Sequence, residues 1–265
     1  MYESSFSNQV FIIMGGTTGI GFAATQALHT KGARLVVVGL DAESCENIRQ
    51  LYNTEKVVVL QGDACDSQTI NSAIKTADEK FGNINGLLHI AGGSGRKYGD
   101  GPLDQITDEG WQYTINLNLT SVMLSNRAMV KYFIQKEIPG TILNTGSVLA
   151  ISPSPKYFAT HAYAAAKSAL IGFSKSVASY YAAENIRVNI ISPGLFETPM
   201  SRRAVNDGNI KSYLQTKQPL DGGRPGKPDD LINAVLLFLS PGSRFITGQV
   251  LAVDGGWMIS DGQIS

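Results

Sequence analysis

Tyr163 and Lys167 are the residues of this sequence whose types and spacing best suit acid–base chemistry. In a helix they lie one turn apart on the same face, and the three alanines between them favour a helix. A neighbouring ammonium group favours the phenolate, so Lys167 should lower the pKa of Tyr163 from its ordinary value of about 10 toward neutrality. Tyr163 would then be a usable general acid and base.

The spacing alone does not identify a site, because it recurs elsewhere in the chain. The other pairs are Tyr52 with Lys56, Tyr132 with Lys136, and Tyr213 with Lys217. Any one such pair is ordinarily two solvated or half-buried side chains on a helix. The elements around each tyrosine must therefore decide which of the four takes part in chemistry.

The composition of the chain argues against several classes of protein. It has 265 residues, 43% hydrophobic and 17% charged, with a formal net charge of zero, which indicates a large core and no nucleic-acid partner. Its two cysteines, Cys45 and Cys65, make neither a disulfide framework nor a metal cluster. We find no signal-peptide pattern and no apolar run near the ~20 residues that span a bilayer. These features predict a cytoplasmic protein without a metal site or a membrane partner.

Short apolar runs alternate with longer segments of helical period along the whole chain. The runs are Val10–Met14, Leu35–Val38, Val57–Leu60, Leu87–Ile90, Thr141–Asn144, Val188–Ile191 and Val250–Val253. Their shortness and uniform apolarity indicate central strands covered on both faces. The alternation predicts a single α/β domain over residues 1–265, with a mainly parallel, doubly wound sheet and helices on both faces. The weakly periodic segment 201–228 is the candidate for a mobile substrate flap.

The first strand runs into a glycine-rich turn that opens the first helix. The turn reads Gly-Gly-Thr-Thr-Gly-Ile-Gly over residues 15–21. Glycines there let backbone N–H groups approach a pyrophosphate at the N-terminus of the helix. The predicted dinucleotide contacts in this turn are Gly15, Thr17, Thr18, Gly19, Ile20 and Gly21.

Several ordered segments resemble motifs of the short-chain dehydrogenase/reductase family, whose members have a Rossmann fold. Besides the turn at 15–21, they are His89–Gly93, Asn185–Gly194 and Ile246–Gly256. The first of these departs from the family's Asn-Asn-Ala-Gly pattern, because His89 and Ile90 replace the asparagines that tie neighbouring strands together. We therefore expect His89 to be structural rather than catalytic.

The resemblance selects Tyr163 among the four tyrosines and adds two partners. Ser147 matches the family's catalytic serine at the end of the fifth strand. Asn118 matches the asparagine whose main chain, at a helix irregularity, holds a relay water; Asn116 is the alternative. The resemblance implies that the substrate oxygen lies between Ser147 and Tyr163. Tyr163 would move the proton, while Lys167 lowers the pKa of Tyr163 and holds the nicotinamide ribose.

Further cofactor contacts follow from the same resemblance. Asp63 and Ala64 would contact adenine, and Pro193 and Gly194 would turn the chain beneath the nicotinamide. Thr198 and the backbone near Phe196 would bind the carboxamide or the phosphates. The set carried over beyond the glycine turn is Asp41, Asp63, Ala64, Ala91, Gly92, Tyr163, Lys167, Pro193, Gly194, Phe196 and Thr198.

The end of the second strand, where the family selects its cofactor, favours NAD over NADP. Gly39 and Leu40 occupy the discriminating positions and Asp41 follows them. Thr18 stands where a basic residue would hold the extra phosphate of NADP. A carboxylate without a nearby cation repels a 2′-phosphate. The alternative role of Asp41 is to cap the helix predicted over Ala42–Leu51.

The function that the resemblance implies is NAD(P)-dependent interconversion of a small-molecule secondary alcohol and a ketone. The alternatives are a 3-oxoacyl-[acyl-carrier-protein] reductase and, outside the enzymes, a dinucleotide-binding sensor without turnover. Family members usually form tetramers, so we expect a homotetramer. Four cations near the predicted substrate walls either favour an anionic substrate or are simply solvated: Arg96, Lys97, Arg202 and Arg203.

Overall fold

The computed structural model describes residues 6–262 and contains one sheet of seven strands. The strands are β1 (Val10–Met14), β2 (Arg34–Gly39), β3 (Val57–Gln61), β4 (Gly86–His89), β5 (Gly140–Thr145), β6 (Ile186–Pro193) and β7 (Val250–Val253). Every apolar run that predicted a strand forms one, which confirms the periodicity argument. None of the helices among residues 6–262 has the length and apolarity needed to cross a bilayer.

Helices connect the strands on both faces of the sheet. They are α1 (Gly19–Thr30), α2 (Ala42–Leu51), α3 (Ser67–Phe81), α4 (Asp108–Ile115), α5 (Ser121–Lys136), α6 (His161–Tyr180), α7 (Arg202–Asn206), α8 (Gly208–Lys217), the single turn α9 (Leu220–Gly223) and α10 (Ile232–Leu239). A π-helical turn, Asn116–Thr120, joins α4 to α5.

All strand pairs are parallel, in the order β3-β2-β1-β4-β5-β6-β7. The chain first builds outward from β1 to β3 and then returns to the other side of β1 with β4. The order in which strands are added to the sheet therefore reverses direction at the boundary between β1 and β4. Open parallel sheets bind ligands beyond the carboxyl ends of their strands at such a reversal.

Strand β1 illustrates why the sheet is covered on both faces. Its alternate residues enter different cores, with Phe11 and Ile13 in one and Val10, Ile12 and Met14 in the other. The first core contains residues of α1, α2 and α10, and the second contains residues of α3 and α5. Fully burying one such side chain stabilises the fold by roughly 1.5–3 kcal/mol, so a rigid sheet supports the strand ends where the site lies.

The segment 201–228 is more regular than its sequence pattern indicated. It contains α7, α8 and α9, and Ala204, Ile210 and Leu214 are buried against Trp257 and Val148 in a small separate core. The sequence hides these helices because each is short and buries few residues. That the segment moves as a flap stays a prediction.

Candidate active site

Tyr163 and Lys167 lie one turn apart on α6 and are both buried, at 9% and 3% exposure. The Lys167 Nζ lies 5.7 Å from the centre of the Tyr163 ring. It donates a hydrogen bond of 2.7 Å to the carbonyl oxygen of Thr145, the last residue of β5. This bond ties α6 to the carboxyl end of β5. Tyr163 and Lys167 therefore lie at the carboxyl ends of the strands, where open parallel sheets bind their ligands.

Ser147 follows β5 directly and faces the same point. Ser147 is 7% exposed, its hydroxyl accepts a hydrogen bond of 3.2 Å from the Leu149 backbone N–H, and it lies close enough to the Tyr163 hydroxyl to lower the pKa of the phenol. The structure therefore brings together three of the four residues that the sequence predicted to be catalytic.

Burial sets the acid–base state of Tyr163 and Lys167 in the protein alone. Desolvation raises the pKa of Tyr163, and the neighbouring Ser147 hydroxyl offsets this rise only in part. Desolvation also lowers the pKa of Lys167 to about 8. The expectation that Lys167 brings the pKa of Tyr163 toward neutrality is wrong here, because burial outweighs every other influence on the phenol. Tyr163 therefore carries its proton at neutral pH, the state that a proton donor requires.

Asn118 lies in the π-helical turn and is fully buried. Its Oδ1 accepts a hydrogen bond from the Gly93 N–H at 3.1 Å, and its Nδ2 donates to the carbonyl oxygens of Gly93 and Thr114 at 2.8 and 2.9 Å. A Cβ on Gly92 would lie 2.9 Å from Asn118 Oδ1 and 3.5 Å from Lys167 Nζ. The glycine therefore permits a close approach of the β4 loop, the π-turn and the lysine.

Asn116, the alternative to Asn118, contacts other groups. Its side-chain oxygen accepts hydrogen bonds from Gln112 Nε2 at 2.9 Å and Thr120 Oγ1 at 3.3 Å. It makes none of the contacts to the β4 loop that place Asn118 beside Lys167. The geometry favours Asn118 as the member of the site.

Asp100 is a residue of the site that sequence reasoning missed. It lies in the loop after β4 and is 4% exposed. Its two carboxylate oxygens accept hydrogen bonds of 3.1 Å each from the backbone N–H groups of Ala162 and Tyr163. These N–H groups belong to the first turn of α6, whose N-cap residue Thr160 makes no side-chain cap. A carboxylate is favourable at this end of a helix, so Asp100 caps α6 and fixes the backbone of Tyr163.

His89 is buried behind the site and has a structural arrangement, as expected. Its Nδ1 is 2.7 Å from Ser125 Oγ, and its Nε2 is 3.1 Å from the carbonyl oxygen of Ala91 and 3.4 Å from Ser121 Oγ. Desolvation, followed by the charge of Lys167, lowers the pKa of His89 to about 3. The imidazole is therefore neutral and joins β4 to α5, as the missing asparagines would have joined neighbouring elements.

A second polar cluster joins β5 to two helices. Asn144 and Asn126 exchange a pair of hydrogen bonds of 2.9 Å, and Asn144 Nδ2 donates to Ser174 Oγ at 3.0 Å. All three side chains are buried. Satisfied buried networks of this kind fix one relative arrangement of the elements that carry them.

The glycine turn has the geometry of a phosphate-binding loop. Gly15 has φ +83°, and a Cβ on it would lie 2.7 Å from the backbone nitrogen of Ala91. A Cβ on Gly21 would lie 1.9 Å from the carbonyl oxygen of Gly15. Thr18, the N-cap of α1, makes no side-chain cap, so the first N–H groups of the helix are not satisfied by it. The turn therefore fits a dinucleotide pyrophosphate.

Thr198 and Phe196 lie across from this turn. A Cβ on Gly19 would lie 3.3 Å from the Thr198 side chain. The Ser201 hydroxyl donates to the carbonyl oxygen of Phe196 and is 3.1 Å from Thr198 Oγ1. The loop after β6 therefore lies against the start of α1; that Thr198 and the Phe196 backbone contact the cofactor stays a prediction.

The two aspartates predicted to contact the adenosine make local hydrogen bonds. Asp41 Oδ2 accepts a bond of 2.7 Å from the Ser44 N–H and caps α2. Asp63 Oδ1 accepts one of 2.8 Å from the Cys65 N–H. Asp66 caps α3 through the Gln68 N–H. The capping role that was the alternative for Asp41 is thus observed, and Asp41 is an exposed residue.

A cavity of about 130 Å³ opens in front of Ser147 and Tyr163. Its lining includes Trp257 and Met200, which the sequence did not single out. The rim between Ser147 and Tyr163 contributes Phe158 and Thr160. The cavity gives a small substrate access to the Ser147 and Tyr163 hydroxyl groups.

The other three Tyr–Lys pairs have structural surroundings. Tyr132 donates a hydrogen bond of 2.7 Å to Asp78 Oδ1 and accepts one from the Ile84 N–H. Tyr52 packs on His29, and Tyr213 packs on Trp257. Of the four tyrosines, Tyr163 is the one that is buried at the carboxyl ends of the strands beside both a serine, Ser147, and a buried lysine, Lys167.

The comparisons with known proteins agree with this geometry. The chain matches the family model described as Enoyl-(Acyl carrier protein) reductase over residues 15–258. It is 32% identical over 252 residues to the 3-oxoacyl-[acyl-carrier-protein] reductase FabG of Chlamydia trachomatis, covering 94% of this chain and 97% of that protein. It is 28% identical over 256 residues to a short-chain dehydrogenase/reductase of Pyricularia oryzae, covering 95% and 93%. The chain belongs to the short-chain dehydrogenase/reductase family.

Solved structures give the same result. A short-chain type dehydrogenase/reductase from Mycobacterium ulcerans has a TM-score of 0.86 at 26% identity, over 97% of this chain and 92% of that one. The 3-ketoacyl-(acyl-carrier-protein) reductase of Brucella melitensis, solved with NADH, has a TM-score of 0.84 at 25% identity, over 96% and 100%. The predicted Rossmann fold and the oxidoreductase family are confirmed.

Proposed function

We propose that this protein interconverts a secondary alcohol and a ketone with a nicotinamide cofactor, using Tyr163 as general acid and base. The observation that carries the proposal is the buried cluster of Ser147, Tyr163 and Lys167, of which the two hydroxyl groups face one cavity. A sensor without turnover has no need of a buried lysine beside a buried tyrosine. Burying an ammonium group costs free energy, and that cost is understandable if the group serves a reaction.

In the reducing direction, Tyr163 donates its phenolic proton to the carbonyl oxygen of the substrate. The Ser147 hydroxyl, which lines the same cavity, points its single O–H donor at the same oxygen and orients it. Negative charge then develops on the phenol, and the ammonium of Lys167 stabilises it at short range. In the oxidising direction the phenolate form of Tyr163, which its raised pKa makes available at high pH, accepts the alcohol proton.

The residues that would hold the cofactor lie along the carboxyl edge of the sheet. Gly15 to Gly21 with the start of α1 would bind the pyrophosphate, and Lys167 would bind the nicotinamide ribose through Nζ protons not used on Thr145. Thr198, Pro193, Gly194 and the Phe196 backbone would border the nicotinamide. When bound, the cofactor supplies or accepts the hydride.

We propose NAD as the preferred cofactor. Asp41 lies just after β2 with no salt bridge to a cation of residues 6–262, so its charge would oppose a 2′-phosphate. Thr17 Oγ1 accepts a hydrogen bond of 3.1 Å from Ser44 Oγ, which brings the glycine turn against α2. The NADH complex of the Brucella relative is compatible with this preference.

A second candidate function is reduction of 3-oxoacyl groups on an acyl carrier protein. The relative from Chlamydia trachomatis, which carries that name and aligns over nearly its whole length, favours it. The same Tyr163 chemistry would apply, and only the substrate would differ. We also propose a homotetramer, by family resemblance; a monomer mass in light scattering would contradict it.

The experiment is a screen of ketones, secondary alcohols and acetoacetyl thioesters with each reduced or oxidised cofactor, followed through the absorbance of the reduced nicotinamide. We expect turnover of at least one ketone, with higher kcat/KM for NADH than for NADPH. Turnover confined to thioesters would favour the second candidate. Cofactor binding with no turnover of any compound would leave a sensor as the better description.

A further inference from the structure

The cavity in front of Tyr163 contains two arginines that the proton transfer does not use. Arg96 lies in the 3-10 turn Gly95–Tyr98 after β4, and Arg203 lies in α7 after β6. Both line the same cavity as Ser147 and Tyr163. Two separate loops therefore each contribute one guanidinium group to the substrate side of the site.

The protein does not neutralise these two cations. No carboxylate of residues 6–262 forms a salt bridge, within 4.0 Å, with Arg96 or Arg203. Arg96 Nη2 donates a hydrogen bond of 3.4 Å to the carbonyl oxygen of Tyr157, which holds the side chain at the rim. The nearest acidic influence is Asp100, whose carboxylate oxygens are already occupied by the first turn of α6.

The two guanidinium groups also repel each other. Desolvation, followed by the positive charge of Arg203, lowers the pKa of Arg96. Both arginines are exposed at the mouth of the cavity and neither has a salt-bridged carboxylate within the described part of the chain, so both guanidinium groups are free to bind an anion that would reduce their mutual repulsion. Arginine is well suited to this task, because its planar fork matches a carboxylate, a sulfonate or a phosphate.

The remaining lining is largely apolar, with Val148, Leu149, Phe158, Leu195 and Trp257 among its members. These side chains suit the carbon chain of a substrate. The glycine turn at 15–21 contributes no residue to this lining. The arginines therefore face the substrate rather than the pyrophosphate of the cofactor.

We propose that the cavity binds ketones and secondary alcohols that carry an anionic group at the end of a short carbon chain, with the anion held between Arg96 and Arg203 and the reacting oxygen at Ser147 and Tyr163. The inference rests on the proposed alcohol–ketone reaction and names its substrate class. A carboxylate, a sulfonate and a phosphate share the chemistry that the two arginines recognise.

The test compares charged and neutral forms of one ketone. The substrates are 4-oxopentanoate and its methyl ester, with 5-oxohexanoate, 4-oxopentane-1-sulfonate and 4-oxopentyl phosphate as further anions. We expect kcat/KM for the wild-type protein with NADH to be at least about 10-fold higher for the best anion than for the ester. The rank order of the three kinds of anion identifies the group that the site prefers.

The variants are Arg96→Gln and Arg203→Gln, with Arg202→Gln as the matched control. Arg202 neighbours Arg203 on α7 but lines a different depression, beside Glu197 and Lys211. We expect the preference for the anion over the ester to fall about 10-fold or more in each of the first two variants, through the KM of the anion. Arg202→Gln should retain the wild-type preference. Cofactor affinity and melting temperature verify that each variant is folded.

Equal kcat/KM for acid and ester in the wild-type protein would overturn the inference, as would an anion preference that survives in both Arg96→Gln and Arg203→Gln. Calorimetric titration of 4-oxopentanoate into the NADH-saturated protein separates this inference from the proposed reaction. Arginine-dependent binding without turnover of any ketone would retain the anion site and reject the reaction. Turnover of neutral ketones without arginine-dependent binding would do the reverse.

Discussion

Asp100 offers a quantitative test of how the site is positioned. Its carboxylate accepts hydrogen bonds of 3.1 Å from the Ala162 and Tyr163 N–H groups, and it is nearly fully buried. Replacing Asp100 with alanine leaves both N–H groups at the start of α6 without that partner. A hydrogen bond to a charged group contributes roughly 1.5–3 kcal/mol, and a helix cap about 1 kcal/mol. Because these contributions overlap, we expect Asp100→Ala to lower the free energy of unfolding by about 3 kcal/mol.

The measurement is urea unfolding at pH 7, together with kcat. Asp100→Asn retains one acceptor oxygen without the charge, so we expect about half that loss of stability. Asp66→Ala is the matched control, because Asp66 caps α3 through one hydrogen bond of 2.9 Å and does not line the cavity. It should cost about 1 kcal/mol and leave kcat unchanged.

Activity distinguishes positioning from mere stability. Asp100 holds the backbone N–H of the residue that donates the proton, so we expect kcat of the folded Asp100→Asn variant to fall by roughly 10-fold at an unchanged cofactor affinity, since small displacements of a reacting group are costly. An Asp100→Ala protein as stable as the Asp66→Ala control, or an Asp100→Asn protein with wild-type kcat, would refute the reasoning.

Two further predictions concern buried titratable groups. Burial lowers the pKa of Lys167 from 10.5 to about 8. Below pH 8 the folded protein therefore bears the full free-energy cost of the buried charge. Between about pH 8 and 10.5 the unfolded state binds more protons than the folded state, so stability rises with pH. Relative to Lys167→Met, the wild-type protein should therefore gain about 3 kcal/mol of stability across that window, measured by urea unfolding; a difference independent of pH would contradict the burial argument. For His89, whose pKa is lowered to about 3, replacement by leucine should cost about 2–3 kcal/mol, because the contacts to Ser125 and Ala91 are lost. The pH profile of kcat between pH 5.5 and 8 should not change, and loss of an ionisation in that range would assign His89 a role in proton transfer.

The fold was predictable from the sequence because buried parallel strands are continuous apolar runs. The five consecutive apolar residues Val10–Met14 indicate a central strand without knowledge of the neighbouring strands. In the structure all five are buried, on one face of the sheet or the other. The glycine turn was equally readable, because close backbone contacts such as Gly21 against Gly15 exclude a side chain. Both signals are local, so one sequence contains them.

The parts that were not predictable depend on contacts between distant residues. Asp100 meets Tyr163 across 63 positions of sequence, and no local pattern marks it as a cap. The direction of the pKa shift of Tyr163 depends on burial, which the spacing to Lys167 does not contain. A helix irregularity at Asn118 was expected from family resemblance alone, and its π-helical form was not predictable, because helix propensities do not distinguish a π-turn from an α-helix.

The central claim is that Tyr163 moves the proton, and it is tested most directly by the turnover of Tyr163→Phe with the best ketone and NADH. We predict that kcat falls by about 10²–10⁴-fold with cofactor affinity retained. Tyr132→Phe is the control, because the Tyr132 hydroxyl bonds to Asp78 and Ile84 away from the cavity. A Tyr163→Phe protein that turns over within a few-fold of the Tyr132→Phe control would contradict the assignment.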